Sequence, residues 1–179
     1  MEMTNNEQVN DFAPQSDILI VDDKPDNLRL LSAFLTAENY DVRKALNADM
    51  ALKAIASAKP DLILLDIQMP DMNGYQLCRV LKESAETKEI PIIFISAKSD
   101  VFDKGLAFDI GGVDYIVKPF HELEVVVRVK HQITIAKQLK QLAEQKQQLM
   151  TKNQQLEAEI KKRKELENQL TNLLQQRQS

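Results

Sequence analysis

Five polar residues of this chain stand where a run of apolar residues stops. Asp22 and Asp23 follow the run at 18–21, Asp66 follows 61–65, Ser96 follows 92–95, and Lys118 follows 113–117, directly before Pro119. Three carboxylates gathered in one place repel one another unless a hard cation joins them. Mg²⁺ is the natural choice, because it prefers oxygen ligands and keeps several of its waters. A carboxylate nucleophile, Mg²⁺, a lysine and a hydroxyl together suit phosphoryl transfer, which depends on in-line positioning and on neutralising the charge of the equatorial oxygens. The reaction these residues imply is conversion of Asp66 to an aspartyl phosphate.

For the five to meet, the runs must be strands of one sheet. Runs 18–21, 61–65 and 92–95 are short and largely β-branched or leucine, as strands buried on both faces should be. Two weaker runs, 41–45 and 113–117, complete a set of five, and helical patterns of about a dozen residues separate consecutive runs. The first helix is expected to begin near Asp26 and to bury Leu28, Leu31, Phe34 and Leu35. The second, capped by Asn47, should bury Met50, Leu52 and Ile55. The third follows Asn73-Gly74 with Leu77, Val80 and Leu81, and the fourth is expected over 100–110, ended by Gly111-Gly112. Gly105 inside it costs about 1 kcal/mol relative to alanine. Alternating strands and helices with short connections require a parallel sheet with right-handed crossovers, so the fold class is doubly wound α/β. In such a sheet the carboxyl ends of the strands form the ligand crevice, which is where the five residues fall.

The sequence resembles the response-regulator receiver family of two-component signalling. Asp22-Asp23 matches its acidic pair, Asp66 with Met69-Pro70 and Gly74 its phosphoacceptor segment, Ser96-Ala97 its hydroxyl position, and Lys118-Pro119 its lysine. The likeness covers residues 17–135, and five matches in order, each at a strand end, make it specific. It implies a flavodoxin-like five-stranded sheet in the order 2-1-3-4-5. It also implies that Asp23 and Asp66 bind Mg²⁺ directly with the Gln68 backbone carbonyl, Asp22 ligating or acting through water, and that Lys118 pairs with the phosphoryl oxygens. Ser96 would turn toward the new phosphoryl group and Tyr115 would swing into the space it leaves. The donor would be a histidine kinase or a phosphotransfer protein. Gln68 and Lys98 stand at the family's two positions that tune phosphate lifetime; Lys98 either holds the phosphoryl group by attraction or points to solvent.

After Pro119 the sequence has neither glycine nor proline, and a single helix can run over 122–178, roughly 80–90 Å at 1.5 Å per residue. Leu142, Leu149, Leu156 and Leu170 recur at multiples of seven, and Leu139, Ile160 and Leu174 fill the complementary heptad position. Lys146, Asn153 and Glu167 interrupt the a-type row and Arg163 the d-type row, trading strength for register, so a parallel dimer of modest strength is expected. Upstream, Val126, Val129, Ile133 and Ala136 form a stripe one residue out of phase with the later seam, the slip falling near Lys140. The alternative is one amphipathic helix lying on its own domain. The basic run Lys161 to Lys164 sits among Glu157, Glu159, Glu165 and Glu167 and reads as a solvated face rather than a nucleic-acid contact.

A formal charge of −4 speaks against nucleic-acid binding, and 28% charged with 5% aromatic residues suits neither a membrane nor a secreted protein. Cys78 is the single cysteine and the N-terminus has no export signal, which together point to the cytoplasm. His121 and His131 read as surface residues. The expected organisation is a polar tail over 1–16, a receiver over 17–135 and a coiled-coil signalling helix over 136–179. Homodimerisation is expected through the coil and the face made by the fourth helix, fifth strand and fifth helix, and a C-terminal effector domain outside this chain is an expected partner. The chain is expected not to be an enzyme beyond weak self-phosphorylation and self-dephosphorylation. Two other readings are an aspartyl-phosphate phosphohydrolase, which Gln68 disfavours by standing where such enzymes carry a second Asp, and a constitutive oligomerisation module with a degenerate receiver.

Overall fold

A computed structural model describes residues 16–97 and 104–177. The elements run β1 (Asp17–Val21), α1 (Pro25–Ala37), β2 (Asp41–Ala45), α2 (Ala48–Ser57), β3 (Leu62–Asp66), α3 (Gly74–Glu83), β4 (Ile92–Ala97), α4 (Lys104–Asp109), β5 (Asp114–Lys118) and α5 (Glu122–Arg177). The strands pair in parallel in the order β2-β1-β3-β4-β5, the arrangement the alternating pattern and the family likeness imply.

Strand parity sorts the core into two layers. Leu19, Val21, Ile63, Leu65, Ile92 and Phe94 face α2, α3 and α4, while Ile18, Ile20, Leu62, Leu64, Ile93 and Ile95 face α1 and α5. The β1, β3 and β4 residues in both sets are fully buried, as expected of central strands covered on both sides.

The helices depart from the expected stripes in a consistent way. Leu28, Leu31 and Leu35 of α1 are buried, as is Ile55 of α2, but Met50 and Val80 are each 43% exposed, and Ala48, Ala51 and Cys78 occupy the core positions instead. Small side chains let α2 and α3 lie close to the sheet, so the larger neighbours are left on the flanks. On α5 the buried row is Val125, Val129 and Ile133, with Val126 only half buried. β5 lies one residue later than its apolar run, and Ser16, expected in the polar tail, is buried with its carbonyl accepting the Asp41 amide at 2.9 Å. The tail over 1–15, the start of the fourth helix and Lys98 lie outside the described residues.

Local signals fix the helix ends. Asn47 caps α2 by accepting from the Met50 amide, and Asn73 with Gln76 makes a reciprocal capping box on α3. Pro25 opens α1 with its preset φ. By its contacts the chain divides into two units between Ala136 and Lys137. α5 runs through that boundary, and every residue from Lys137 to Arg177 is exposed. Among the described residues no helix is long and apolar enough to cross a membrane.

Candidate functional site

The parallel register carries the polar residues to one end of the sheet. Val21 of β1 pairs with Leu65 of β3, so Asp22 and Asp66 each come one step beyond a matched pair on neighbouring strands. Asp66 pairs with Ile95 and Ala97 with Lys118, which brings Ser96 and Lys118 to the same end from β4 and β5. Lys118 is the long side chain that closes the gap: its Nζ donates to Asp66 Oδ2 at 2.8 Å and to Asp22 Oδ2 at 3.0 Å. The Lys118–Pro119 peptide bond is cis.

Asp22 is fully buried and held from both sides. Its Oδ1 accepts the Lys24 amide at 2.8 Å, and Asn27 Nδ2 donates to Oδ1 at 3.0 Å and to Oδ2 at 2.8 Å. Asn27, on the first turn of α1, is the one contributor that the sequence reading did not single out. Its only signal is position, one turn into the helix that follows the acidic pair.

Below Asp66 the chain turns tightly into α3. The Gly74 amide donates to the Ile67 carbonyl at 2.9 Å, and a Cβ on Gly74 would lie 2.3 Å from the Asp66 carbonyl oxygen. Glycine is thus required by close approach, as the strand-to-helix connection folds directly against the Asp66 backbone.

Burial is the largest influence on Asp66 and raises its pKa. The hydrogen bond from Lys118 works the other way, and the negative charge of Asp22 adds to the rise. Lys118 is pulled down by burial, but its hydrogen bonds to Asp66 and Asp22 outweigh that and hold the ammonium above its ordinary value. The lysine therefore stays charged between two carboxylates that it cannot both neutralise.

Asp22, Asp23 and Asp66 each offer a carboxylate oxygen within 4.8 Å of the others. Three carboxylates against one ammonium leave two negative charges, the charge of one divalent cation. Asp23 Oδ1 is buried and has no hydrogen-bond partner among the described residues, so an acceptor is left for a ligand to satisfy. An all-oxygen, carboxylate-rich set fits Mg²⁺. Ser96 Oγ is likewise buried with no partner among the described residues. A hydroxyl in that condition is poised to donate to an incoming oxygen.

Of the remaining candidates, the Gln68 backbone amide donates to Asp66 Oδ1 at 3.4 Å. Tyr115 is half buried and packs against the core layer of α2 and α3, with the Arg128 guanidinium 5.7 Å from its ring centroid. Arg128 is itself held by both Asp114 oxygens at 2.8 and 2.9 Å and by Glu124 at 2.9 Å. The structure thus brings Asp22, Asp23, Asp66 and Lys118 together, with Ser96 beside them on β4. Tyr115 lies on β5, three residues before the lysine.

The model of the response regulator receiver domain matches residues 18–130. Response regulator PleD of Caulobacter vibrioides is 41% identical over 113 residues, covering 63% of this chain and 25% of PleD. Transcriptional regulatory protein ResD of Bacillus subtilis is 41% identical over 128 residues, covering 72% of this chain and 52% of ResD. Among solved structures, the signal receiver domain of a signal transduction histidine kinase from Syntrophus aciditrophicus matches with a TM-score of 0.62 at 33% identity, over 66% of this chain and 90% of that one. The chain spans between a quarter and about half of the length of these two curated relatives.

Proposed function

The chain belongs to the response regulator receiver family, and on that premise we propose that Asp66 accepts a phosphoryl group from a histidine kinase or phosphotransfer protein. The observation that carries this reading is the lysine bridge: Lys118 Nζ stands 2.8 Å from one Asp66 oxygen and 3.0 Å from Asp22. It is placed to follow charge onto a phosphoryl group built on Asp66.

In the proposed transfer an Asp66 oxygen bonds to phosphorus as the P–N bond of the donor phosphohistidine breaks. The electron pair leaves with the imidazole, which takes up a proton. Asp22, Asp23 and Asp66 would hold Mg²⁺, with Gln68 contributing through its backbone; bound there, the cation neutralises the phosphoryl oxygens. Asn27 keeps Asp22 oriented. Lys118 contributes the remaining positive charge, and Ser96 Oγ supplies a hydrogen bond to a phosphoryl oxygen. The chain is an acceptor rather than a turnover enzyme.

The movement of Ser96 draws Tyr115 inward and alters the face of α4, β5 and α5. We take 17–135 as the receiver and 136–179 as a coiled coil that joins two copies, the α4-β5-α5 face contributing to the same dimer. Because α5 is shared by both segments, a change at β5 has a covalent path to the coil. A protein receiving phosphate from such a kinase works in the cytoplasm, and an effector domain beyond the coil is the natural recipient of the signal.

Intact mass after incubation with acetyl phosphate, with and without Mg²⁺, tests the chemistry on the wild type and Asp66→Asn. One phosphate adduct that needs both Mg²⁺ and Asp66 is the expected result. A wild type that takes no phosphate would overturn the proposal and leave a degenerate receiver acting as an oligomerisation module.

A further inference from the structure

On the distal half of α5, Leu142, Leu149 and Leu156 are 61%, 60% and 55% exposed, although a leucine gains from leaving water at every one of these positions. The row they form carries enough information to specify its own partner. Setting Leu142, Leu149, Leu156 and Leu170 at heptad position d puts Lys146, Asn153 and Ile160 at a. Leucine at d with a polar residue at an a position selects two strands rather than three or four.

The same frame places Lys152 and Glu159 at g, and Glu157 and Lys164 at e. In a parallel, in-register pair each g residue faces the e residue five positions later on the other helix. Lys152 then meets Glu157 of the second copy, and Glu159 meets its Lys164. Symmetry repeats both pairs, so four attractive contacts flank the seam and none among them is repulsive.

Asn153 decides the orientation. In a parallel in-register pair its amide meets the other Asn153 and the two can bond to each other. In an antiparallel pair a positions meet d positions, so Asn153 would face a leucine, Arg163 or Arg177 and never a second Asn153. Arg163 and Glu167, the charged residues of the next seam layers, already pair within one helix at 3.2 Å, which compensates their charge locally. Lys146 is tolerated because its stem can cover the seam while the ammonium reaches water.

We infer that the interface joining two copies is a parallel, in-register, two-stranded coiled coil, specified by Asn153 against Asn153 and by the pairs Lys152–Glu157 and Glu159–Lys164. This rests on the dimeric reading proposed above and fixes its orientation, register and pairing residues.

The test is oxidative cross-linking of full-length Lys146→Cys, an a position whose replacement leaves Asn153 in place, with Ala158→Cys on the outer f position as the control; Cys78 is fully buried and stays out of the reaction. Light scattering of the wild type and the acetyl phosphate mass assay accompany it. Lys146→Cys should form a covalent dimer at least ten-fold faster than Ala158→Cys. A dimeric wild type without that preference overturns the orientation and leaves the dimer standing, whereas a monomeric wild type overturns both. Cross-linking at 146 in a chain that takes no phosphate would uphold the interface while the phosphoacceptor reading fell. A second measurement reverses the flanking charges. The double variant Glu157→Lys/Glu159→Lys should associate about ten-fold more weakly with itself than the wild type does, and mixing it with Lys152→Glu/Lys164→Glu should restore association. Unchanged self-association of both double variants would remove the proposed pairs.

Discussion

Asn27 directs one amide N–H at both oxygens of a single carboxylate, an arrangement that matters only if the orientation of Asp22 matters. Side chains that orient metal ligands typically contribute ten- to a hundred-fold in affinity. Asn27→Ala should therefore weaken Mg²⁺ binding by about ten-fold, measured by calorimetric titration, with the fold intact by circular dichroism. An unaltered affinity would mean that Asp22 is held well enough by the Lys24 amide and Lys118. Cys78 offers a separate test at this scale, away from the site. Burial pushes its thiol up to about 11, from an ordinary value of 9.0. A folded-state pKa raised in this way gives stability that is fully present below the unfolded value and lost as pH climbs from 9 through 11. At 1.4 kcal/mol per unit the loss is on the order of 3 kcal/mol. Urea midpoints of the wild type and Cys78→Ala should therefore converge over that window as the wild type loses its thiol contribution. The same burial predicts that iodoacetamide leaves the native thiol unmodified at pH 8 and reaches it only on unfolding.

The β3–α3 connection packs directly against Asp66. Because a Gly74 Cβ would lie 2.3 Å from the Asp66 carbonyl oxygen and 2.9 Å from Ile67 Cα, Gly74→Ala must push backbone against backbone. Overpacking of this kind costs about 1–3 kcal/mol, and the displacement falls on Asp66, the residue proposed to accept phosphate. Gly74→Ala should lower the thermal midpoint by several degrees and slow adduct formation together; loss of stability with an unchanged rate would show that the loop yields away from Asp66. Much of this was legible beforehand. Strand runs and the polar residues at their ends follow from apolar periodicity and from the rule that such sheets bind ligands at strand ends, and the strand order from the family resemblance. Which helical residues turn inward was less so. The period of 3.6 admits Met50 or Ala51, and Val80 or Cys78, almost equally, and the choice rests on how closely each helix can approach the sheet. Asn27 escaped for a related reason: a contact between residues five apart across a loop-to-helix junction leaves no periodic trace. The aspartates and the lysine, by contrast, could be read because charged residues at the edge of fully apolar strands have few structural reasons to be there.

At the scale of the whole chain, the core ends at Ile133, which is 5% exposed, and every described residue from Lys137 onward is exposed. Nothing beyond Ala136 is therefore needed to complete the hydrophobic layers around the sheet. A chain ending at Ala136 should fold with a thermal midpoint within a few degrees of the full chain and accept phosphate equally well. Ending it at Lys130 removes Ile133 and should cost about 2–5 kcal/mol, as loss of a buried isoleucine side chain does. The pair of truncations separates what the helix does for the fold from what it does for association, and that allows coupling to be measured. If phosphorylation of Asp66 changes how the coil pairs, the dimer dissociation constant of the full chain must differ between the two phosphorylation states, and by linkage dimerisation must alter phosphoryl stability by a matching free energy. Sedimentation of the full chain should show the constant falling about five-fold or more on phosphorylation, within the range of coupling free energies found for such switches. The chain ending at Ala136 should lose the coil's share of that change. An equal constant in both states would mean that the shared helix transmits no preference, and the coil would then hold two receivers together irrespective of their phosphate.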